Sequence, residues 1–100
     1  MHTVLLTLIT IVGEPVLADT LITALHEIGA TGHTLTEARG QDSRGIRASE
    51  IPGDNVRIET IVSPALADRI LALLATTYFP HYAIIAWATE IHVVRGEKYA

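Results

Sequence analysis

The sequence predicts an α+β sandwich, with two helices laid across one face of a four-stranded antiparallel sheet. Three observations carry this. The chain has 100 residues, room for one domain over residues 1–100. Strand-like and helix-like segments follow one another in the order β-α-β-β-α-β. The two halves also echo each other: Thr10-Ile11-Val12 recurs as Thr60-Ile61-Val62 at an offset of 50, while Pro15 and Leu17-Ala18-Asp19 recur as Pro64 and Leu66-Ala67-Asp68 at an offset of 49. The slip of one residue reads as a deletion in the turn between strand and helix.

Each element has its own justification. Residues 3–12 are rich in Val, Ile, Leu and Thr and apolar on both faces, as in a central strand covered on both sides. Pro15 suits a helix's first turn. Leu17, Leu21, Leu25 and Ile28 fall on one helical stripe, and Gly29 can end that helix. Residues 33–39 alternate and form the second strand. Val56, Ile58, Thr60 and Val62 share one face of the third strand, with Arg57 and Glu59 on the other. Ser63 caps the second helix, with Pro64 at its first position. Leu66, Ile70, Leu73 and Thr77 are expected on its inner face. Pro80 breaks the chain, and residues 82–94 form a long last strand. This is the ferredoxin-like βαββαβ sandwich. Its uncovered sheet face would be apolar and buried against copies of the same chain.

Composition narrows the function. Apolar residues make up 49% of the chain and charged residues 18%, which excludes a disordered chain. So apolar a domain at this length points to an oligomer. The net charge of −4 argues against nucleic-acid binding. With no cysteine there is no disulfide scaffold, thiolate metal site or thiol nucleophile. Residues 4–12 fall far short of a membrane span, and the first Lys or Arg is Arg39. Although Val16-Leu17-Ala18 mimics a signal-peptidase site, the stretch is read as a buried strand of a cytoplasmic protein without membrane insertion.

One long loop, about residues 40–54, separates strands two and three. Arg39, Arg44, Arg47 and Arg57 are four of the seven basic residues, so residues 39–57 carry a net +1 and the rest of the chain −5. Ser43-Arg44-Gly45-Ile46-Arg47 offers two guanidinium forks, a hydroxyl and a glycine that lets backbone N–H groups approach an anion. On spacing alone, an anion site and a solvated loop stand equal. Gly29 to Thr34 reads as a helix stop followed by the start of a strand. His2, His26, His33, His81 and His92 show no metal-ligand spacing, so no metal site is expected. Trp87 belongs to the core or an interface, and Arg95 is either a surface charge or a cation reaching a neighbour's ligand.

Over nearly its whole length the chain resembles the PII signalling family. Gly29-Ala30-Thr31-Gly32-His33-Thr34-Leu35-Thr36-Glu37-Ala38-Arg39-Gly40 is similar to the family's run from first helix to the base of its T-loop. Ser43-Arg44-Gly45-Ile46-Arg47-Ala48-Ser49 and the ending Val93-Val94-Arg95-Gly96-Glu97-Lys98 resemble the PII-like branch of SbtB and carboxysome-associated PII proteins. The resemblance implies a non-enzymatic homotrimer with adenine-nucleotide sites in the clefts between subunits. The implied site residues are Gly32, His33, Thr34, Gly40, Ser43, Arg44, Gly45, Arg47 and Val62, with Arg95 from the adjoining subunit. Residues 76–82 would wall the pocket. The implied role is regulation of inorganic-carbon uptake or carboxysome function through the T-loop, by contact with a bicarbonate transporter or a carboxysome-associated protein.

Two departures from nitrogen-sensing PII bear on the ligand. No tyrosine lies in residues 40–54 for uridylylation, and residues 76–82 contain no lysine to meet a γ-phosphate. AMP, ADP or cyclic AMP, with bicarbonate beside it, is therefore expected over ATP with 2-oxoglutarate. The alternatives are a nitrogen regulator binding ATP and a trimeric sensor of another small ligand. Acylphosphatase-like catalysis lacks its cation, since the turn after strand one is Gly13-Glu14-Pro15. RNA binding lacks aromatic residues in strands one and three.

Overall fold

The computed structural model describes residues 1–38, 55–95 and 97. The strands are β1 (Val4–Gly13), β2 (Thr34–Ala38), β3 (Asn55–Val62) and β4 (Ile85–Val93), and the helices are α1 (Ala18–Ile28) and α2 (Pro64–Leu73). A 3-10 turn, Pro15–Leu17, leads into α1, and a π-helical turn, Leu74–Tyr78, extends α2. All pairings are antiparallel, in the order β2-β3-β1-β4. The chain is thus the expected α+β, ferredoxin-like sandwich, with the most apolar strand in the middle of the sheet.

Register sorts the side chains. Ile9 stands opposite Thr60, and Ile11 opposite Ile58. These residues, with Val56 and Val62, face the helices and meet Leu21 and Leu25 of α1 and Ala67, Ile70 and Leu74 in one core. Burying such a side chain contributes about 1.5–3 kcal/mol each. The α1 stripe falls as the sequence predicts. The buried residues are Ala67 and Ile70 of α2 and Leu74 and Tyr78 of the π turn, whereas Leu66 and Leu73 are half-buried and Thr77 is exposed. The stripe is rotated by one position: Ala67, Ile70, Leu74 and Tyr78 keep the helical i, i+3, i+7, i+11 spacing, with small Ala67 at the sheet in place of Leu66. The π turn is closed by the Phe79 N–H donating to the Leu74 carbonyl at 2.9 Å.

The internal repeat runs at a constant offset of 49: Ile9 and Ile58, Leu21 and Ile70, Leu25 and Leu74 are equivalent buried positions. The Thr-Ile-Val identity is out of phase with it. Thr10 points to the uncovered face while Thr60 points to the helices, because a shift of one residue in a strand exchanges faces. No residue is lost in the turn. The last strand is also shorter than expected. The Tyr82 N–H donates to the Tyr78 carbonyl at 3.0 Å and the Ile84 N–H to the Tyr82 carbonyl at 3.0 Å, so residues 82–84 are spent in turns before β4 begins.

The face without helices carries Val4, Leu6, Leu8 and Val12 of β1, Ile61 of β3, and Ile85, Trp87, Ile91 and Val93 of β4. Ile85 is 58% exposed and Trp87 39%. A polar row crosses it: the Thr10 hydroxyl donates to the Glu59 carboxylate at 3.2 Å, and the Arg57 guanidinium lies 5.9 Å from the Trp87 ring centroid. Among the described residues, no helix is long and apolar enough to cross a membrane.

Candidate functional site

The site begins at the end of α1. Gly29 holds φ 126°, a left-handed backbone that a side chain resists. Its N–H donates to the His26 carbonyl at 3.2 Å, and the Ala30 N–H to the Leu25 carbonyl at 2.9 Å. This paired closure, the Schellman motif, satisfies the last carbonyls of the helix and sends the chain back towards the sheet edge. Ala30 is buried there. Two residues on, the Gly32 carbonyl accepts a 2.6 Å hydrogen bond from the Thr60 hydroxyl, fixing the Gly32–Thr34 turn to β3.

The turn and the strand enclose an open pocket of about 370 Å³. Gly32, His33 and Thr34 form one wall. Leu8, Glu59, Thr60 and Ile61 form the other. Thr34 stands opposite Glu59, so both belong to the uncovered face, at its β2 edge. The pocket combines apolar surface from Leu8 and Ile61, a glycine that adds no bulk, and one half-buried carboxylate that already accepts from Thr10. Such a site suits a flat, partly apolar group that carries hydrogen-bond donors.

Of the residues singled out from sequence, Gly32, His33 and Thr34 come together here. The Val62 side chain is 2% exposed in the helix-facing core and does not line the pocket; its neighbour Ile61 does. Arg95 lies just past β4, exposed, at φ 64°, a strained backbone for a side-chain-bearing residue. Residues 76–82 do not line this pocket within one chain. Thr76 bonds back to the Ala72 carbonyl at 3.0 Å and Tyr78 is buried. Gly40, Ser43, Arg44, Gly45 and Arg47, with the whole T-loop expected at about residues 40–54, lie outside the described residues.

Sequence reasoning missed Leu8, Glu59, Thr60 and Ile61. Alternation assigned Glu59 to the outer face of its strand, yet nothing local says that the Gly32 turn lies over that strand. The one available signal is a carboxylate set between Ile58 and Ile61 of that strand. Among the described residues, the pocket lining contains no Lys or Arg, so any phosphate held here needs cations from other segments.

The comparisons with known proteins point one way. The family described as "Nitrogen regulatory protein P-II" matches residues 6–98. A protein of Thermus thermophilus described as a PII-like signalling protein is 51% identical, with 100% of each chain covered and a TM-score of 0.86. The nitrogen regulatory PII-like protein CPII of Thiomonas intermedia shares the fold at 19% identity. Bound to ADP, AMP and acetate it gives a TM-score of 0.86, with 99% of this chain and 98% of that chain covered. Bound to ADP and bicarbonate it gives 0.84 over the same shares.

Proposed function

The chain belongs to the nitrogen regulatory protein P-II family, and from that premise we propose that it is a regulator, not an enzyme, that binds AMP, ADP or cyclic AMP. One observation carries the reading: between the Gly32–Thr34 turn and Glu59 lies an open pocket of about 370 Å³ with apolar walls and a carboxylate acceptor, a combination that suits an adenosine moiety. Leu8 and Ile61 offer apolar contact to a base. Glu59 is an acceptor for an amine or for ribose hydroxyls, each charge-assisted bond contributing about 1.5–3 kcal/mol. The ADP and AMP bound to the distant relative CPII support the same ligand class.

In the assembly we propose, three chains close their uncovered faces on one another. The exposed Ile85 and Trp87 supply a motive for that burial. The pocket then becomes half of a cleft, and residues 76–82 and Arg95 enter it through the packing of neighbouring copies. Arg44 and Arg47, with Gly40, Ser43 and Gly45, meet the phosphates or bicarbonate. A planar anion suits an arginine fork, and CPII is also found with bicarbonate. Residues 76–82 bring no lysine, so a γ-phosphate would be left without its cation.

The T-loop, ordered by nucleotide and bicarbonate, is then the surface read by a bicarbonate transporter or a carboxysome-associated protein in the cytoplasm. The likeness of residues 43–49 to carbon-linked PII-like proteins supports that partner class. Calorimetry with AMP, ADP, cyclic AMP and ATP, with bicarbonate and 2-oxoglutarate varied separately, tests the reading. AMP, ADP or cyclic AMP should bind at least as tightly as ATP, and bicarbonate and nucleotide should strengthen each other by one factor. Tight Mg-ATP binding enhanced by 2-oxoglutarate would instead make this a nitrogen sensor. Glu59→Gln should weaken every adenine nucleotide about tenfold, since it removes the charge from the acceptor.

A further inference from the structure

His26 and His33 are separated by a helix end and a glycine turn, yet their rings meet. Nε2 of His26 lies 2.9 Å from Nδ1 of His33, with ring centroids 5.1 Å apart and planes at 77°. Both residues are exposed, so core packing does not force the contact. It follows from the Gly29 closure, which returns the chain alongside the last turn of α1.

Neutral imidazole is the commonest metal ligand, and two imidazoles held side by side can chelate one ion. Nε2 of His26 and Nδ1 of His33 face each other at hydrogen-bond distance, so rotation of both exposed rings brings their lone pairs towards one point. We propose that His26 and His33 form a two-histidine site for a divalent transition-metal ion such as copper(II), at the rim of the pocket that His33 also lines.

Without metal, one ring donates its N–H to the other. On binding, that ring takes its other tautomer and both rings turn so that each lone pair meets the ion. The pair binds with no net loss of protons, and His26 coordinates through Nε2 and His33 through Nδ1. Among the described residues, no group of three or more His, Cys, Asp or Glu side chains gathers to hold an ion. The site therefore supplies two ligands, and water or an anion fills the remaining positions.

The test uses the full chain carrying His2→Ala, because an amino-terminal residue followed by histidine is itself a copper chelate. Copper(II) chloride is titrated by calorimetry and followed by electron paramagnetic resonance. One ion per chain is expected, with hyperfine coupling to two imidazole nitrogens. His26→Ala and His33→Ala should each weaken binding about tenfold or more, because the second imidazole binds intramolecularly. His81→Ala should change nothing. Copper binding that survives either His26→Ala or His33→Ala, or a spectrum without two coupled nitrogens, overturns the site and leaves the pair a hydrogen bond. Circular dichroism of both variants should match the parent, since both side chains are exposed.

Discussion

The Thr60 hydroxyl donates to the Gly32 carbonyl at 2.6 Å, tying the turn after α1 to the middle of the sheet. Thr60 is 3% exposed, so this bond forms in a dry environment where a lost partner is not replaced by water. It also holds the Gly32 turn against β3 at the pocket, which both residues line. Thr60→Val keeps the shape and removes the donor. We expect a loss of about 1–2 kcal/mol in urea unfolding and weaker nucleotide binding from a turn no longer held. Unchanged stability together with unchanged nucleotide affinity would show that the turn is fixed by other means.

The glycines should separate by geometry. A Cβ at Gly32 meets nothing within 4 Å, so Gly32→Ala should leave the melting temperature unchanged and act on ligand binding alone. A Cβ at Gly13 would stand 2.6 Å from Ile84 Cγ2, and Gly13→Ala should cost about 1–3 kcal/mol. Gly29→Ala places a side chain at φ 126° and should cost about 1–2 kcal/mol. Thermal melts of the three variants check the order. A Gly32→Ala variant as unstable as Gly29→Ala would contradict it.

Arg44 adjoins Gly45 and Arg47 follows it by two residues. If they meet phosphate or bicarbonate, Arg47→Ala should weaken nucleotide binding by about one to two decades without altering assembly. Calorimetry of both single variants is the measurement. Unchanged dissociation constants in both would remove the loop from the site.

The uncovered face predicts assembly. Light scattering should return about three times the mass of one chain. Ile85→Glu places a charge at a residue that is already 58% exposed in the single chain, so the subunit should fold as before. The assembly should dissociate, because burying an unpaired carboxylate is costly. A parent chain that stays monomeric at micromolar concentration would refute both the trimer and the shared cleft.

The sequence by itself determined the element order, the central place of β1 and the inner stripe of α1. These follow from local patterns: Leu17, Leu21 and Leu25 recur at the helical period, and Val56, Ile58, Thr60 and Val62 at the strand period, whatever they pack against. It also determined the family, since the Gly29–Gly40 run is contiguous. Tertiary structure decided what contiguity does not encode. The phase of the internal repeat depends on which sheet face meets the helices, and the Thr-Ile-Val identity disguised it by one residue. The inner face of α2 is set by packing: Ala67 and not Leu66 meets the core, and the apolar period admits either. Glu59 joins Gly32, and His26 meets His33, only because a left-handed Gly29 folds the chain back on itself. A glycine announces that such a turn is allowed, but where the turn lands is fixed by the packing of α1 on the sheet.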